Sequence, residues 1–248
     1  MIINYLKDCI QKMAEDLVIT PTYNESENIG NFIEEVLKAF PPGDILIIDD
    51  SSPDGTAQIV SKIASENERV NLIQRGGKMG LGSAYRDGFR WALGKGYKRV
   101  YEMDADFSHN PAYLPVLREE LIGGNHIVLG SRRVKGGGVE GWGPLRHIIS
   151  GGGSLYSRLI LGIPVNDMTT GLKGIAREVL EKLNWDNFLS QGFFFQVETN
   201  YRAWKAGFKI KEIPIIFKDR KAGKSKMSLK IFIEALYLTL KLRLMVRK

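Results

Sequence analysis

The chain has 248 residues, 44% of them hydrophobic and 25% charged, a composition that excludes a disordered or fibrous polymer and allows a sizeable core. Its one cysteine, Cys9, excludes a disulfide framework or a Cys-rich zinc site within the chain and suits a reducing, cytoplasmic setting. The net charge of +7 is uneven: residues 217–248 carry ten Lys/Arg and two Asp/Glu, a net +8, which leaves −1 for the rest. Such a tail argues against a nucleic-acid surface and for a local anionic partner, either phosphates or a membrane.

The N-terminus, "MIINYLKDCIQKMAEDL", carries Lys7 and Asp8 early and is not a signal peptide. Its Ile3, Leu6, Ile10, Met13 and Leu17 recur at helical spacing, which predicts a helical extension over residues 1–16. "LVIT" (Leu17–Thr20) reads as a strand, and Asn24 with Glu27 three residues later reads as a helix cap. Ile29, Phe32, Ile33, Val36, Leu37 and Phe40 then mark one helix face. "ILIIDD" (Ile45–Asp50) is a second buried strand, followed by a helix with Ile59, Val60 and Ile63 inside. "VNLIQ" (Val70–Gln74), "RVYEM" (Arg99–Met103) and "HIVLG" (His126–Gly130) are further strands. Alternation of this kind predicts βαβ units and a mainly parallel sheet. "KGGGVEGWGP" (Lys135–Pro144) reads as a mobile loop, and no internal repeat is present.

The tail, "MSLKIFIEALYLTLKLRLMVRK" (Met227–Lys248), is too charged to cross a bilayer, which needs about 20 predominantly apolar residues. As a helix it places Leu229, Phe232, Ile233, Leu236, Leu240 and Leu244 on one side and Lys230, Glu234 and Lys241 on another; the alternation in "LTLKLRL" also suits a strand. Such a helix either packs on its own domain or lies on a membrane surface.

Three strands end in polar chemistry: Thr20 runs into "PTYNE", Ile48 into "DDSSPDGT" and Met103 into "DADFSH". In open α/β sheets ligands sit at the carboxyl ends of strands, so these ends share a crevice. Asp104 and Asp106, one residue apart, read either as a solvated turn or as ligands of a hard divalent cation. No dinucleotide fingerprint is present: "GLGSAY" (Gly80–Tyr85) lacks the third glycine, and no P-loop occurs. His109, His126 and His147 read as structural, Asp49 as a turn residue or a ligand, Met79 and Met103 as packing, and Phe193–Phe195 as core.

Taken in order, "PTYNE", "DDSSPDGT", "MGLGSAY", "DADFSH", "GSR", "FFFQVE" and "FKDRKAGKSKMS" resemble the polyprenol-phosphate (dolichol-phosphate) mannose synthases of glycosyltransferase family 2. The resemblance runs from about Leu17 to the tail. It implies a GT-A-type α/β fold, a nucleotide-sugar-binding sheet flanked by helices. It also implies a catalytic domain over 1–227 and a basic amphipathic helix over 228–248, peripheral on the cytoplasmic face of a membrane.

The resemblance further implies that Pro21, Tyr23, Glu25, Ile48 and Asp50 hold the base and ribose of the donor. Asp104 and Asp106 match the metal pair for Mg²⁺ or Mn²⁺, with Ala105 against the donor between them. Ser108 matches a third metal position that is glutamine in some relatives, and its shorter hydroxyl reaches less far. Arg132, Arg220 and Lys226 match phosphate-contacting positions, and Arg146 and Ser150 lie near the acceptor phosphate. Gln196 and Glu198 fall near the site. Asp106 and Arg132 would carry the catalysis. The implied reaction moves mannose from GDP-mannose to a polyprenyl or dolichyl phosphate with inversion. The same reaction with another donor, such as UDP-glucose, and a non-catalytic peripheral membrane protein are the alternatives.

Overall fold

The computed structural model describes residues 14–219 and 229–246. The helix expected over 1–16 lies almost wholly outside them, and Asp16 already opens the first strand.

Strands β1 (Asp16–Thr22), β2 (Gly43–Asp49), β3 (Val70–Gln74) and β4 (Arg99–Glu102) run parallel, joined through helices α1 (Ile29–Ala39), α2 (Thr56–Glu66) and α3 (Leu81–Lys95). Helix α4 (Leu114–Ile122) leads to β5 (Ile127–Ser131), and β7 (Lys173–Ala176) enters between β4 and β5, antiparallel to both. With β8 (Ile210–Pro214) parallel to β5, the seven strands stand in the order β3-β2-β1-β4-β7-β5-β8. This is the mainly parallel, helix-flanked sheet that the alternation predicts.

Strands β1, β2, β4 and β5 are buried on both faces, and β1, β2 and β5 carry unbroken apolar runs as covered parallel strands do. Side chains alternate between two cores. Leu17, Ile19, Leu46 and Ile48 pack under α3 (Tyr85, Phe89) and α7 (Phe195–Lys205). Val18, Ile45 and Ile47 pack under Phe32, Ile33 and Val36 of α1 and Leu114 and Leu117 of α4.

Three expectations need correction. Asn24 caps no helix: α1 starts at Ile29 after Asn28, and Asn24 sits at φ 60 in the preceding loop, its N–H donating to Ser52 Oγ at 3.0 Å. The glycine-rich stretch is not simply a loop, because Gly138–Glu140 forms β6 and pairs in parallel with β9 (Ile216–Lys218). The tail forms helix α8 (Leu229–Met245), but its inner side is Leu238, Thr239 and Leu242, whereas Leu240 and Leu244 are exposed. It packs along α5 (Pro144–Leu161), where Tyr156 Oη donates to the Leu236 carbonyl at 3.2 Å and Arg243 Nη1 to that of Leu161 at 3.3 Å. Neighbouring α5, not the charge pattern, chose which stripe went inside.

Candidate active site

The carboxyl ends of β2, β1 and β4 lie side by side, because Thr22 pairs with Asp49 and Ile19 with Glu102. The residues just beyond, Tyr23, Asp50 and Asp104, therefore open onto one crevice. β7 begins at the same edge. Its antiparallel register sets Lys173 against Glu102, and two residues further out Gly171 faces Asp104: a Cβ there would lie 2.9 Å from Asp104 Oδ2 and 3.4 Å from His109 Cε1. Among the described residues three non-glycine ones adopt positive φ, Asn24, Ser51 and Phe107, one in each strand-end loop. Backbone strain of this kind gathers at sites whose surroundings over-determine it.

The two loops of the base side are tied by acids. Asp49 is fully buried and accepts from Thr22 Oγ1 at 2.9 Å and from the Ser52 N–H at 2.8 Å. It is a turn residue. Asp54 accepts from the Ser26 and Thr56 N–H groups at 3.0 and 3.1 Å. Burial pushes its pKa upward, but hydrogen bonds from Thr56 and Ser26 outweigh this and hold it at about 2. Asp50 meets Arg75 in a buried ion pair and accepts from the Met79 N–H at 3.2 Å. Arg75 also donates to Ser83 Oγ at 2.7 Å. The half-buried Tyr23 ring carries the Lys78 ammonium 4.2 Å from its centroid, a cation–π contact. The Glu25 carboxylate accepts from Asn28 Nδ2 at 3.2 Å. Pro21 is half-buried beside them. Ile48 is fully buried, its side chain close under Gly88, so only its backbone faces this side.

On the central strand, Asp104 and Asp106 are half-buried and Ala105 between them is buried. The Ser108 hydroxyl and N–H both turn to Asp106 Oδ1, the latter at 3.1 Å, so Ser108 orients that carboxylate. Two hard oxygen donors at a strand end, with the side-chain-less Gly171 packed close against one of them, fit a divalent cation whose remaining ligands come from phosphate and water. Among the described residues no group of three His, Cys, Asp or Glu could hold a metal alone.

His109 is buried and neither ring nitrogen has a partner among the described residues. Burial, the largest effect, pulls its pKa down to about 4. Beneath the site lies a buried network: Gln196 Nε2 donates to Glu102 Oε2 at 2.6 Å, Lys173 Nζ donates to Gln196 Oε1, and Lys173 stands 3.8 Å from Glu102. Burial raises the Glu102 pKa and lowers that of Lys173. Glu198 faces elsewhere, capping the Leu189 N–H at 2.8 Å and pairing with Arg202 at 2.7 Å.

On the other side of the crevice, Arg132 grips the buried Asp167 with two prongs, and its Nη2 also donates to Thr169 Oγ1 at 3.0 Å. Burial pushes the Asp167 pKa upward, yet Arg132 holds it below the ordinary carboxylate value. Arg146 pairs with Asp219 at 2.7 Å. The Trp142 ring joins the two arginines, with the Arg132 and Arg146 guanidinium carbons 5.5 and 4.3 Å from its centroid. Ser150, one turn after Arg146 on α5, accepts from Arg133 Nη2 at 2.8 Å. Arg220 and Lys226 lie outside the described residues. The sequence reading missed Arg75, Lys78, Trp142, Asp167 and Lys173. Arg75, Lys78, Asp167 and Lys173 act through partners distant in the chain, which no local motif announces, whereas Trp142 works between arginines ten and four residues away.

Comparison with known proteins agrees with this layout. The model of "Glycosyl transferase family 2" matches residues 17–184. A polyprenol monophosphomannose synthase of Mycolicibacterium smegmatis is 42% identical over 92% of this chain and 86% of its own length. An undecaprenyl-phosphate mannosyltransferase of Micrococcus luteus is 42% identical over 86% and 87%. A mannosyltransferase of Pyrobaculum calidifontis, solved with GDP-mannose and Mn²⁺, superposes with a TM-score of 0.57 at 17% identity, covering 93% of this chain and 73% of its own; at that identity it speaks for the fold alone. With its GT-A-type sheet and acidic strand ends, the chain belongs to glycosyltransferase family 2.

Proposed function

We propose that the protein transfers mannose from GDP-mannose to a polyprenyl phosphate, inverting the anomeric carbon, as a peripheral enzyme at a membrane surface. The observation that carries this reading is 42% identity over 92% of the chain to a polyprenol monophosphomannose synthase, in a chain whose acids meet at one sheet edge. The acids at that edge suit a metal-bound diphosphate donor, and GDP-mannose with Mg²⁺ or Mn²⁺ is the donor this reading assigns.

Tyr23, capped by Lys78, offers an aromatic face to the donor's nucleoside, and the carboxylates of Glu25 and Asp50 accept from its N–H and hydroxyl groups. Asp104 and Asp106 would hold Mg²⁺ or Mn²⁺, which supplies charge to offset the leaving diphosphate. Ser108 keeps Asp106 turned to that task.

On the acceptor side, Asp167 fixes the guanidinium plane of Arg132, and Trp142 holds Arg146 near it. Two arginines so placed can grip a phosphate monoester in defined orientation. That phosphate is already ionised near neutral pH, its second pKa being about 6, so no side chain has to remove a proton. His109, neutral and buried, is not needed as a base. Attack from the Arg132 side on the face opposite the diphosphate gives inversion.

Exposed apolar residues on α5 and α8 (Leu155, Leu159, Tyr237, Leu244), with the basic tail, suit contact with the membrane that carries the acceptor. None of the described helices is long and apolar enough to cross a bilayer. The test is direct: incubate the protein with polyprenyl phosphate and a panel of nucleotide sugars, and identify the lipid product by mass spectrometry. Polyprenyl-phosphate-mannose from GDP-mannose alone is expected. A glucose-bearing lipid from UDP-glucose would move the reading to that donor, and no lipid product with any donor would overturn it.

A further inference from the structure

We propose that Arg133 and Arg158 form a second phosphate site, adjoining Ser150 but distinct from Arg132 and Arg146, which takes the headgroup phosphate of an anionic membrane lipid. Arg132 turns to Asp167, but its neighbour Arg133 reaches helix α5, donating from Nη2 to Ser150 Oγ. Its Nε is out of solvent and has no acceptor among the described residues. No described carboxylate makes an ion pair with Arg133, and the nearby Asp167 is taken up by Arg132. Arg133 is half-buried and feels Asp167 only through space, so its guanidinium keeps donor capacity, the orphaned Nε included, that an anion from outside can take.

The surroundings give that anion its size and class. Arg133, Gly151, Leu155, Arg158 and Asn166 line a cleft of about 220 Å³. This is smaller than the ~300–1,000 Å³ of sites that enclose a whole small molecule, and suits a headgroup. Gly151 makes the room, since a Cβ there would lie 3.2 Å from Arg133 Nη1. It does so inside a helix, where glycine costs about 1 kcal/mol against alanine. Arg158 Nη1 rests on Asn166 Oδ1 at 2.6 Å. Leu155 of the lining is 54% exposed, and on the same helix α5 Ile148 and Leu159 are 71% and 70% exposed, while α8, packed along α5, exposes Leu244 (71%). A free phosphate ion would gain nothing from these apolar side chains. An amphiphile matches both them and the cations.

The experiment measures partition of the full chain onto phosphatidylcholine vesicles with and without phosphatidylglycerol, lacking donor and polyprenyl phosphate so that the result does not depend on the transfer reaction. Wild type is expected to prefer the anionic vesicles. Replacing Arg133 and Arg158 together by lysine keeps the charge and loses the planar fork, and should weaken that preference at least about fivefold, the scale of one lost hydrogen bond to a charged group. Arg158→Lys alone, at an exposed position, decides the matter if the double variant does not fold. Variants that partition like wild type, or a wild type indifferent to phosphatidylglycerol, would show only diffuse charge and overturn the site. So would unchanged partition with a raised KM for polyprenyl phosphate in detergent, which assigns the cleft to the acceptor.

Discussion

Arg132 and Asp167 meet in a buried, two-pronged ion pair, Nε to Oδ2 at 2.7 Å and Nη2 to Oδ1 at 2.6 Å, 35 residues apart in the chain. The Arg132 backbone N–H adds a third bond to Oδ2 at 3.0 Å. Removing one partner of such a pair leaves a buried charge and typically costs about 3–5 kcal/mol. Asp167→Asn should therefore lower the unfolding midpoint in urea and, in the folded fraction, raise the acceptor KM more than the donor KM. Equal effects on both substrates would mean that Asp167 only supports the fold.

Asp106→Asn should reduce turnover at least about tenfold, roughly 1.4 kcal/mol of barrier, and chelator should stop the wild type. Gly171→Ala tests the same place from the opposite strand, because the new Cβ falls 2.9 Å from Asp104 Oδ2. It should weaken Mn²⁺ binding in a titration with GDP, whether or not transfer is assayed. Unaltered Mn²⁺ affinity in both variants would remove the metal from this edge.

Lys173 and Glu102 are wholly buried beneath the site. Lys173→Met alone strands the Glu102 charge and should cost about 3–5 kcal/mol in urea unfolding. Adding Glu102→Gln should recover most of that loss. A double variant no more stable than the single would show that the packing of Lys173, not its charge, matters.

Acid should unfold the protein through a few carboxylates. Hydrogen bonds from Lys98, the largest effect, and from Arg99 hold Glu15 at about 2 against an ordinary 4.5; Asp54 is held at about 2 against 3.8. A depressed native pKa means that the unfolded chain takes up protons first as pH falls. The stabilisation is thus complete above about 4.5 and drains away toward about 2. Melting temperatures measured from neutral pH to pH 3 should fall in that window, with a shallower fall for Asp54→Asn. A decline that sets in near neutral pH would place the sensitive groups elsewhere.

Leu244 on α8 is 71% exposed, whereas Leu242 is fully buried. Leu244→Glu should leave the melting temperature unchanged and cut binding to anionic vesicles. Equal vesicle binding would take α8 out of the membrane contact. Cutting the tail at Lys230 would mix the two effects, because it also strips Leu238 and Leu242 from the core.

Much of this molecule was legible from its chain. The runs that became β1, β2 and β5 hold continuous apolar stretches because parallel strands in the middle of the sheet are covered on both faces. The face of α1 followed from the 3.6-residue period, and Ile29, Phe32, Ile33 and Val36 are its buried residues. The acids at strand ends could be placed on one edge because topology puts them there. The Asn24 cap failed because the Ser52 hydroxyl and the Asp54 carboxylate of the adjoining loop bind the Asn24 and Ser26 backbone instead.

What the chain alone determined, then, is the set of strands, the parallel layout and the chemistry at their ends, since those depend on local apolar period and on residue type. The tertiary structure decided which acids are spent on the protein itself. Asp49 ties the β1 and β2 loops and Asp167 holds Arg132. It also decided that an antiparallel β7 brings Gly171 up to Asp104, and which stripe of α8 turned inward. Hydrogen bonds and ion pairs between residues tens of positions apart depend on register and packing, and neither is written in the local sequence.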